Sequence, residues 1–515
     1  MAAVNLPQTF NAATYFIDRN LAEGRGPRVA LECGDERVTY AQVAEGVNRF
    51  GNVLCRLGVQ PEQRVALLLL DSPAFACSFF GAIKAGAVPV PLNTLWRAAD
   101  YQYALADSGA RAVVLSAALA GVLAQIDRRA LPRLEHVIVA GGDPGPHLSY
   151  DDLLAGSSAA LEAAPTHRDS MAFWLYSSGS TGSPKGCVHL QHDMVVCAES
   201  YAKGVLGMRE ADRVFSAAKL FFAYGLGNAL YMPFAVGATS ILLPDPPAAP
   251  RAYEVIERYR PTLYFSVPTQ FAMMLTHRRD GPDFDLSSVR HAVSAGEALP
   301  EPIFHRFKQR FGVEILDAIG STEVLHMFIA NRPGAVRPGS SGQLVPGYDA
   351  RIVDDNDQPV PVGEMGNLLI RGDSTCAFYW NQHEKTKRTI QGEWIRTGDK
   401  YTQDPEGYFW YAGRVDDMLK PGGIFVSPIE IESVLVGHDD VLECAVVGKD
   451  DADGLSKPFA YVVLRPGVTG TPELGVALQQ FVRDRLPEYK RPRGVAFITE
   501  LPKTATGKVQ RYKLR

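Results

Sequence analysis

Residues 176 to 186 read Tyr176-Ser177-Ser178-Gly179-Ser180-Thr181-Gly182-Ser183-Pro184-Lys185-Gly186. Glycines let a backbone approach a ligand closely, hydroxyls donate to oxyanions, and a lysine adds positive charge. The combination suits a polyphosphate. It is not a Walker loop, because Pro184 stands where the second glycine should be and Gly186 replaces the Ser/Thr after the lysine. A Gly/Ser-rich run can also be a linker. This one follows the apolar run Met171–Leu175, which reads as a buried strand and favours the phosphate reading.

Two other clusters invite chemistry. His189-Leu190-Gln191-His192-Asp193 carries two histidines three residues apart. No third metal ligand is evident beside them, so a helix-start role is expected rather than a metal site. The last 33 residues, Arg483–Arg515, hold ten Lys/Arg and three Asp/Glu, a net +7 that leaves −12 for the rest of the chain. Such a tail is either a solvated basic surface or a surface that faces phosphates.

These groups need a scaffold. Short β-branched runs alternate with Ala/Leu-rich helical stretches through the first 400 or so residues. Strands are expected at Val65–Leu70, Ala112–Leu115, Val137–Ala140, Thr239–Leu243, Leu263–Val267 and Val313–Ile315, and helices at Tyr40–Leu57 and Pro73–Lys84. That alternation argues for parallel sheets covered by helices. From about Gly342 the texture turns to short strands and turns: Gly363–Arg371, Gly392–Thr397 and Tyr408–Gly413. A domain boundary is expected near Asp416, leaving 99 residues for a second core.

Composition excludes several classes. With 515 residues, 46% hydrophobic and 21% charged, the chain is globular and large enough for two to four domains. A net charge of −5 is of the wrong sign for a whole-protein nucleic-acid binder. The seven cysteines are scattered without a CxxC, which points to a reducing cytoplasm rather than a disulfide framework. The start lacks a basic n-region, and the most apolar stretches are too short or too interrupted to span a bilayer, so no membrane association is expected.

The loop at 176–186 resembles the phosphate loop of the adenylate-forming superfamily: acyl- and aryl-CoA ligases, peptide-synthetase adenylation domains and beetle luciferases. Four more segments resemble that family's motifs, in its order. They are Gly320-Ser321-Thr322-Glu323, Gly392-Glu393-Trp394-Ile395-Arg396-Thr397-Gly398-Asp399, the hinge-like Gly413-Arg414-Val415-Asp416-Asp417, and the lysine loop Pro502-Lys503-Thr504-Ala505-Thr506-Gly507-Lys508.

The resemblance implies a large α/β N-terminal domain, residues 1–415, with parallel sheets and a small β-rich subdomain. It also implies a small α+β C-terminal lid, residues 417–515, hinged at Asp416. The nucleotide would be held by Ser177, Ser178, Gly179, Ser180, Thr181, Gly182, Lys185, Asp317, Asp399 and Arg414. Thr322 would donate to the α-phosphate and Glu323 would supply a hard oxygen to Mg²⁺. Glu323 could instead be a carboxylate at a helix N-terminus, and Asp399, placed at a strand end, a turn aspartate. Lys508, read alone an ordinary terminal lysine, would bridge the carboxylate and α-phosphate as the catalytic cation. Lys420, Gly422 and Gly423 would come to face the pantetheine side once the lid reorients.

The acyl pocket would be formed by Phe222, Ala223, Tyr224, Gly225, Ile319, Gly320 and His326. The aromatic segment Phe221–Gly225 carries no Asp or Glu to grip an ammonium, which disfavours an amino-acid substrate. Ile319 stands where the family commonly has a tyrosine, so no ring for adenine is expected there. Ser-Ser-Gly-Ser-Thr-Gly and Lys219-Leu220-Phe221-Phe222-Ala223-Tyr224-Gly225 most closely resemble the benzoate–CoA ligases. Gly437-His438-Asp439-Asp440 lacks the serine of a carrier attachment site, which favours free CoA as acceptor. The expected activity is therefore ATP-dependent, AMP-forming ligation of benzoate to CoA, with ATP, Mg²⁺ and CoA. The same chemistry on a hydroxy- or aminobenzoate, furoate or a medium-chain fatty acid is the alternative. A luciferase-like oxygenase and a non-catalytic nucleotide sensor are further ones. A homodimer is left open.

Overall fold

The computed structural model describes residues 4–177, 184–419, 426–450, 456–503 and 509–515. Its largest sheet has nine strands in the order Gln343–Leu344, Met327–Ala330, Ile315–Gly320, His291–Ser294, Leu263–Ser266, Arg213–Ser216, Thr239–Leu242, Val29–Cys33, Glu36–Thr39. The central pairings are parallel and the outer ones antiparallel. A second, all-parallel sheet runs Val88–Pro91, Arg64–Leu68, Ala112–Ser116, His136–Ala140, Leu148–Ser149. Helices Tyr40–Arg56 and Pro73–Lys84 form at the expected places. Thr39 and Gln42 close a capping box on the first, and Pro73 opens the second with the φ a first helical turn needs.

One expected strand is displaced. Val313–Ile315 marks only the entry of a strand that runs Ile315–Gly320. Gly312 ends the helix Glu301–Phe311 with φ +72°, and the chain uses Val313 and Glu314 to turn back into the sheet. The strand therefore carries Asp317 and Ile319 up to the turn Thr322–Val324.

Residues 349–414 form a five-stranded antiparallel sheet. Beyond Asp417, Val441–Asp450, Ser456–Leu464 and Gly494–Phe497 form a three-stranded sheet, accompanied by helices Pro428–Val436 and Pro472–Arg483. One buried apolar cluster joins Ile303, Phe304 and Phe307 to Leu419, Ile431 and Leu435, so helix Pro428–Val436 shares a core with helix Glu301–Phe311. No helix among the described residues is long and apolar enough to cross a membrane.

Candidate active site

The hairpin Met171–Ser177/Lys185–Leu190 pairs Ser177 with Lys185 at the end joined by residues 178–184. The turn Thr322–Val324 faces that end. Glu323 Oε1 accepts the Tyr379 hydroxyl proton at 2.8 Å and lies 3.4 Å from both Lys185 Nζ and Ser177 Oγ. Lys185 also donates to the Tyr379 hydroxyl at 3.3 Å and lies 4.5 Å from that ring's centroid. Burial pushes Glu323 up, but the Lys185 ammonium and the Tyr379 hydroxyl outweigh it and hold the carboxyl below its ordinary value. Glu323 is thus a charged carboxylate in a partly desolvated place.

Each carbonyl of the turn has a donor from outside it, one on the strand Lys185–Leu190 and two in the loop before Phe378–Tyr379. Thr322 O accepts from His189 Nε2 at 2.8 Å, Glu323 O from the Cys376 amide at 2.7 Å, and Val324 O from Ser374 Oγ at 2.8 Å. The next residue, Leu325, has φ +70° and ψ −47°, a strained geometry for a γ-branched side chain. Such strain costs about 1–3 kcal/mol and survives only where the surroundings over-determine it, as the three donors do here. His192 occupies the N-cap of helix Asp193–Cys197, the helix-start position expected of this cluster.

Asp399 is not at a strand end. It lies inside the strand Trp394–Gln403, opposite Arg414. Gly398 has φ +78°, which bends the chain without ending the ladder, and a Cβ there would sit 2.7 Å from Arg414 Nη2. Arg414 Nη1 donates to Asp399 Oδ1 at 3.0 Å and to Thr397 O at 2.9 Å. Burial lowers the Arg414 value, but Asp399 outweighs it and raises the guanidinium further.

Asp317 is buried. Its Oδ2 accepts the Leu299 amide at 3.4 Å, whereas Oδ1 has no hydrogen-bond partner among the described residues. Burial pushes the carboxyl up to about 8. It lies in register with Ser294, and Ser294 with Ser266, where the parallel pairing of three strands ends, the side of an α/β sheet where ligands bind.

His326 follows the turn and is buried among aromatic side chains. It is 2% exposed, its Nε2 lies 3.1 Å from Asn228 Oδ1, and its ring is 5.3 Å from that of Tyr201 and 6.0 Å from that of Tyr224. Burial pushes it down to about 3, so the imidazole is neutral. Tyr224 donates to the carbonyls of Ser266 and Val293, 3.2 Å each. Backbones approach closely here: a Cβ would lie 2.1 Å from Lys219 O at Gly225, 2.6 Å from His326 O at Gly320, and 2.4 Å from His326 Cδ2 at Gly227. Phe222 and Ile319 are half-buried and Ala223 is buried. The segment is anchored from behind. Leu220 donates to Asp71 at 3.0 Å, and Lys219 Nζ donates to the carbonyls of Leu243 and, at 2.6 Å, Asp245.

Thr322, Glu323, Ser177 and Lys185 therefore meet, as do Asp399 and Arg414, and His326 with Tyr224, Gly225 and Gly320. Ser178, Gly179, Ser180, Thr181, Gly182, Lys420, Gly422, Gly423 and Lys508 lie outside the described residues. Asp416 sits in a short turn, Val415–Asp417, where its carbonyl accepts from Arg515 at 3.0 Å. Much of the basic tail is ion-paired within the C-terminal unit: Lys490 with Glu430, Lys503 with Glu443, Arg511 with Glu432, Arg515 with Asp417. The sequence reading missed Tyr379 and Asn228. Tyr379 belongs to no quoted motif, and its one signal is the aromatic run Phe378-Tyr379-Trp380 in a turn-rich stretch.

Known proteins share this arrangement. Residues 18–380 match the family of AMP-binding enzymes, and residues 430–508 match the AMP-binding enzyme C-terminal domain. A benzoate–CoA ligase of Thauera aromatica is 49% identical over 515 residues, 100% of this chain and 97% of that protein. The crystal structure of the anthranilate CoA ligase AuaEII with anthranoyl-AMP superposes with a TM-score of 0.96 at 44% identity, covering 100% of this chain and 98% of that one. A benzoate CoA ligase from Burkholderia xenovorans LB400 gives 0.91 at 46% identity, covering 98% and 100%. By matches that span nearly its whole length, the chain belongs to the AMP-binding enzyme family.

Proposed function

We propose that this protein joins benzoate to coenzyme A in two steps driven by ATP. In the first, a benzoate oxygen attacks the α-phosphorus of ATP, the bond from that phosphorus to the bridging oxygen breaks, and pyrophosphate leaves, giving benzoyl-AMP. In the second, the CoA sulfur attacks the acyl carbon, its proton is lost, and AMP leaves. One observation carries the acid's class. The cluster of neutral His326 with the Tyr201 and Tyr224 rings offers aromatic surface around an uncharged imidazole, in a chain 49% identical to a benzoate–CoA ligase. Burying a phenyl ring there is worth about 1.5–3 kcal/mol.

The other residues divide the remaining work. Ser177, Lys185 and the segment 178–182 would cradle the phosphates. Asp317, through its unpartnered oxygen, would face the base, and Asp399 and Arg414 the ribose. Mg²⁺ prefers hard oxygens, and Glu323, charged beside the Ser177 hydroxyl, fits it as one carboxylate ligand. Bound there, the ion would neutralise phosphate charge. Lys508 would offset repulsion between the two anions in the first step. Residues 417–515 would then turn about Asp416, withdrawing Lys508 and bringing Lys420, Gly422 and Gly423 to the pantetheine. The ion pairs that knit the basic tail to Glu430, Glu432 and Glu443 would let that unit move as one body. No disulfide is found among the described cysteines, and a cytoplasmic setting goes with this chemistry.

A second reading rests on Tyr201, whose buried hydroxyl has no hydrogen-bond partner among the described residues and could receive a ring substituent. A panel of benzoate, 2-aminobenzoate, 4-hydroxybenzoate and hexanoate, with ATP, CoA and a pyrophosphate readout, separates these. Benzoate is expected to give the highest kcat/KM. A lead for 2-aminobenzoate moves the assignment to the second reading, and a lead for hexanoate removes the aryl assignment.

A further inference from the structure

His189 lies on the strand Lys185–Leu190 and is fully buried. Its Nδ1 is 2.8 Å from Asp193 Oδ2 and its Nε2 is 2.8 Å from Thr322 O, 133 residues along the chain. A carbonyl only accepts, so the Thr322 contact is donated by Nε2–H, and the Asp193 carboxylate lies against the other ring nitrogen. The ring is fixed in two further ways. It stacks on Phe173 with centroids 5.2 Å apart and planes 18° apart, and the Leu190 amide donates to the same Asp193 oxygen at 3.1 Å. The same strand presents Lys185 to Glu323.

We infer that His189, oriented by Asp193, is a positioning residue that sets the Thr322–Glu323 turn for the adenylation step. This rests on the proposed roles of Thr322 and Glu323. A rigid polar contact is needed here because Leu325, three residues on, is strained. A turn freed at Thr322 would relax, and misplacing reacting partners by about 1 Å costs on the order of 10²-fold in rate. His189 touches neither substrate nor phosphate and acts only through the turn.

Two amide variants split its bonds. The glutamine amide nitrogen mimics Nε2 and retains donation to Thr322, whereas the asparagine amide nitrogen mimics Nδ1 and retains the contact with Asp193. The assay is benzoate-dependent pyrophosphate release, with kcat and half-saturating Mg²⁺ measured beside the melting temperature. His189→Asn is expected to lose about 10-fold to 10²-fold in kcat and to need several-fold more Mg²⁺, while His189→Gln stays within about 3-fold of wild type. A role confined to partnering the buried Asp193 charge predicts the reverse order, so a His189→Asn enzyme as fast as His189→Gln overturns the inference. Glu323→Gln is the control for the underlying reading. If it leaves the Mg²⁺ requirement unchanged, the metal role of Glu323 fails, and the order of the two His189 variants in kcat still decides this inference.

Discussion

Glu323 and His326 are three residues apart and sit in opposite electrostatic regimes. Around Glu323 the polar atoms are matched: an ammonium, two hydroxyls and three donors to the turn's carbonyls. Around His326 the surroundings are aromatic, the ring is neutral, and a buried tyrosine hydroxyl has no partner among the described residues. Both groups are desolvated. The difference is a nearby opposite charge: the Lys185 cation keeps the Glu323 carboxylate charged, whereas at His326 desolvation dominates and leaves the ring neutral. Burial alone therefore does not decide charge in this site. Placement of one lysine on the strand Lys185–Leu190 keeps the phosphate wall ionic, while the acyl wall stays uncharged.

The strongest way to break that contrast is Glu323→Gln, which keeps shape and removes charge. Adenylation is expected to fall by about 10²–10³-fold, the scale of losing one preorganised electrostatic group. The half-saturating benzoate concentration should stay within about 3-fold, because the aromatic cluster around His326 does not depend on that charge. Measuring ATP–pyrophosphate exchange against benzoate and Mg²⁺ checks both halves. Loss of benzoate affinity equal to the loss of rate would mean the two walls are one unit.

Much of this was legible from residue spacing. Glycine, hydroxyl and lysine types around 176–186 and the pair Thr322–Glu323 announce an anion site, and alternating apolar runs announce the sheets. What spacing could not show is contact across the fold. Tyr379 reaches Glu323 over 56 residues, and His189 reaches Thr322 over 133, with nothing local to mark either. Asp399 was misplaced at a strand end because Gly398 reads as a turn, whereas its positive φ is absorbed within a continuing ladder. Gly227 is another such case, since only the fold reveals His326 beside it. In Gly227→Ala the new Cβ would lie 2.4 Å from His326 Cδ2, so the ring must move. Overpacking of this kind costs about 1–3 kcal/mol, more than the helical gain of about 0.5–1 kcal/mol from replacing glycine. The expected result is a benzoate KM raised about 10-fold, with the Mg²⁺ requirement unchanged. An unchanged benzoate KM would place the ring outside the acyl wall.

The smallest effect tests the uncharged wall through stability alone. His326 titrates near 3 in the folded chain against an ordinary 6.5. Between those values the unfolded chain binds a proton that the folded chain refuses, so stability falls as the pH drops through 6.5. From about pH 7.5 to about pH 5 the loss is about 2 kcal/mol. Glu323 works in a lower window. Its folded value is depressed, so its contribution is present above its ordinary 4.5 and is lost only as the pH falls further. Asp317, raised to about 8 by burial, acts in the opposite sense and favours the folded chain toward acid. Its effect cancels when two proteins that both retain it are compared. His326→Gln supplies that comparison, because glutamine keeps a donor for Asn228 and cannot titrate. Urea unfolding of both proteins at several pH values should show wild type losing about 2 kcal/mol more than the variant by about pH 5. If the two curves stay parallel, His326 takes up its proton in the folded state as readily as in the unfolded one, and the acyl wall is not the uncharged counterpart of the Glu323 side.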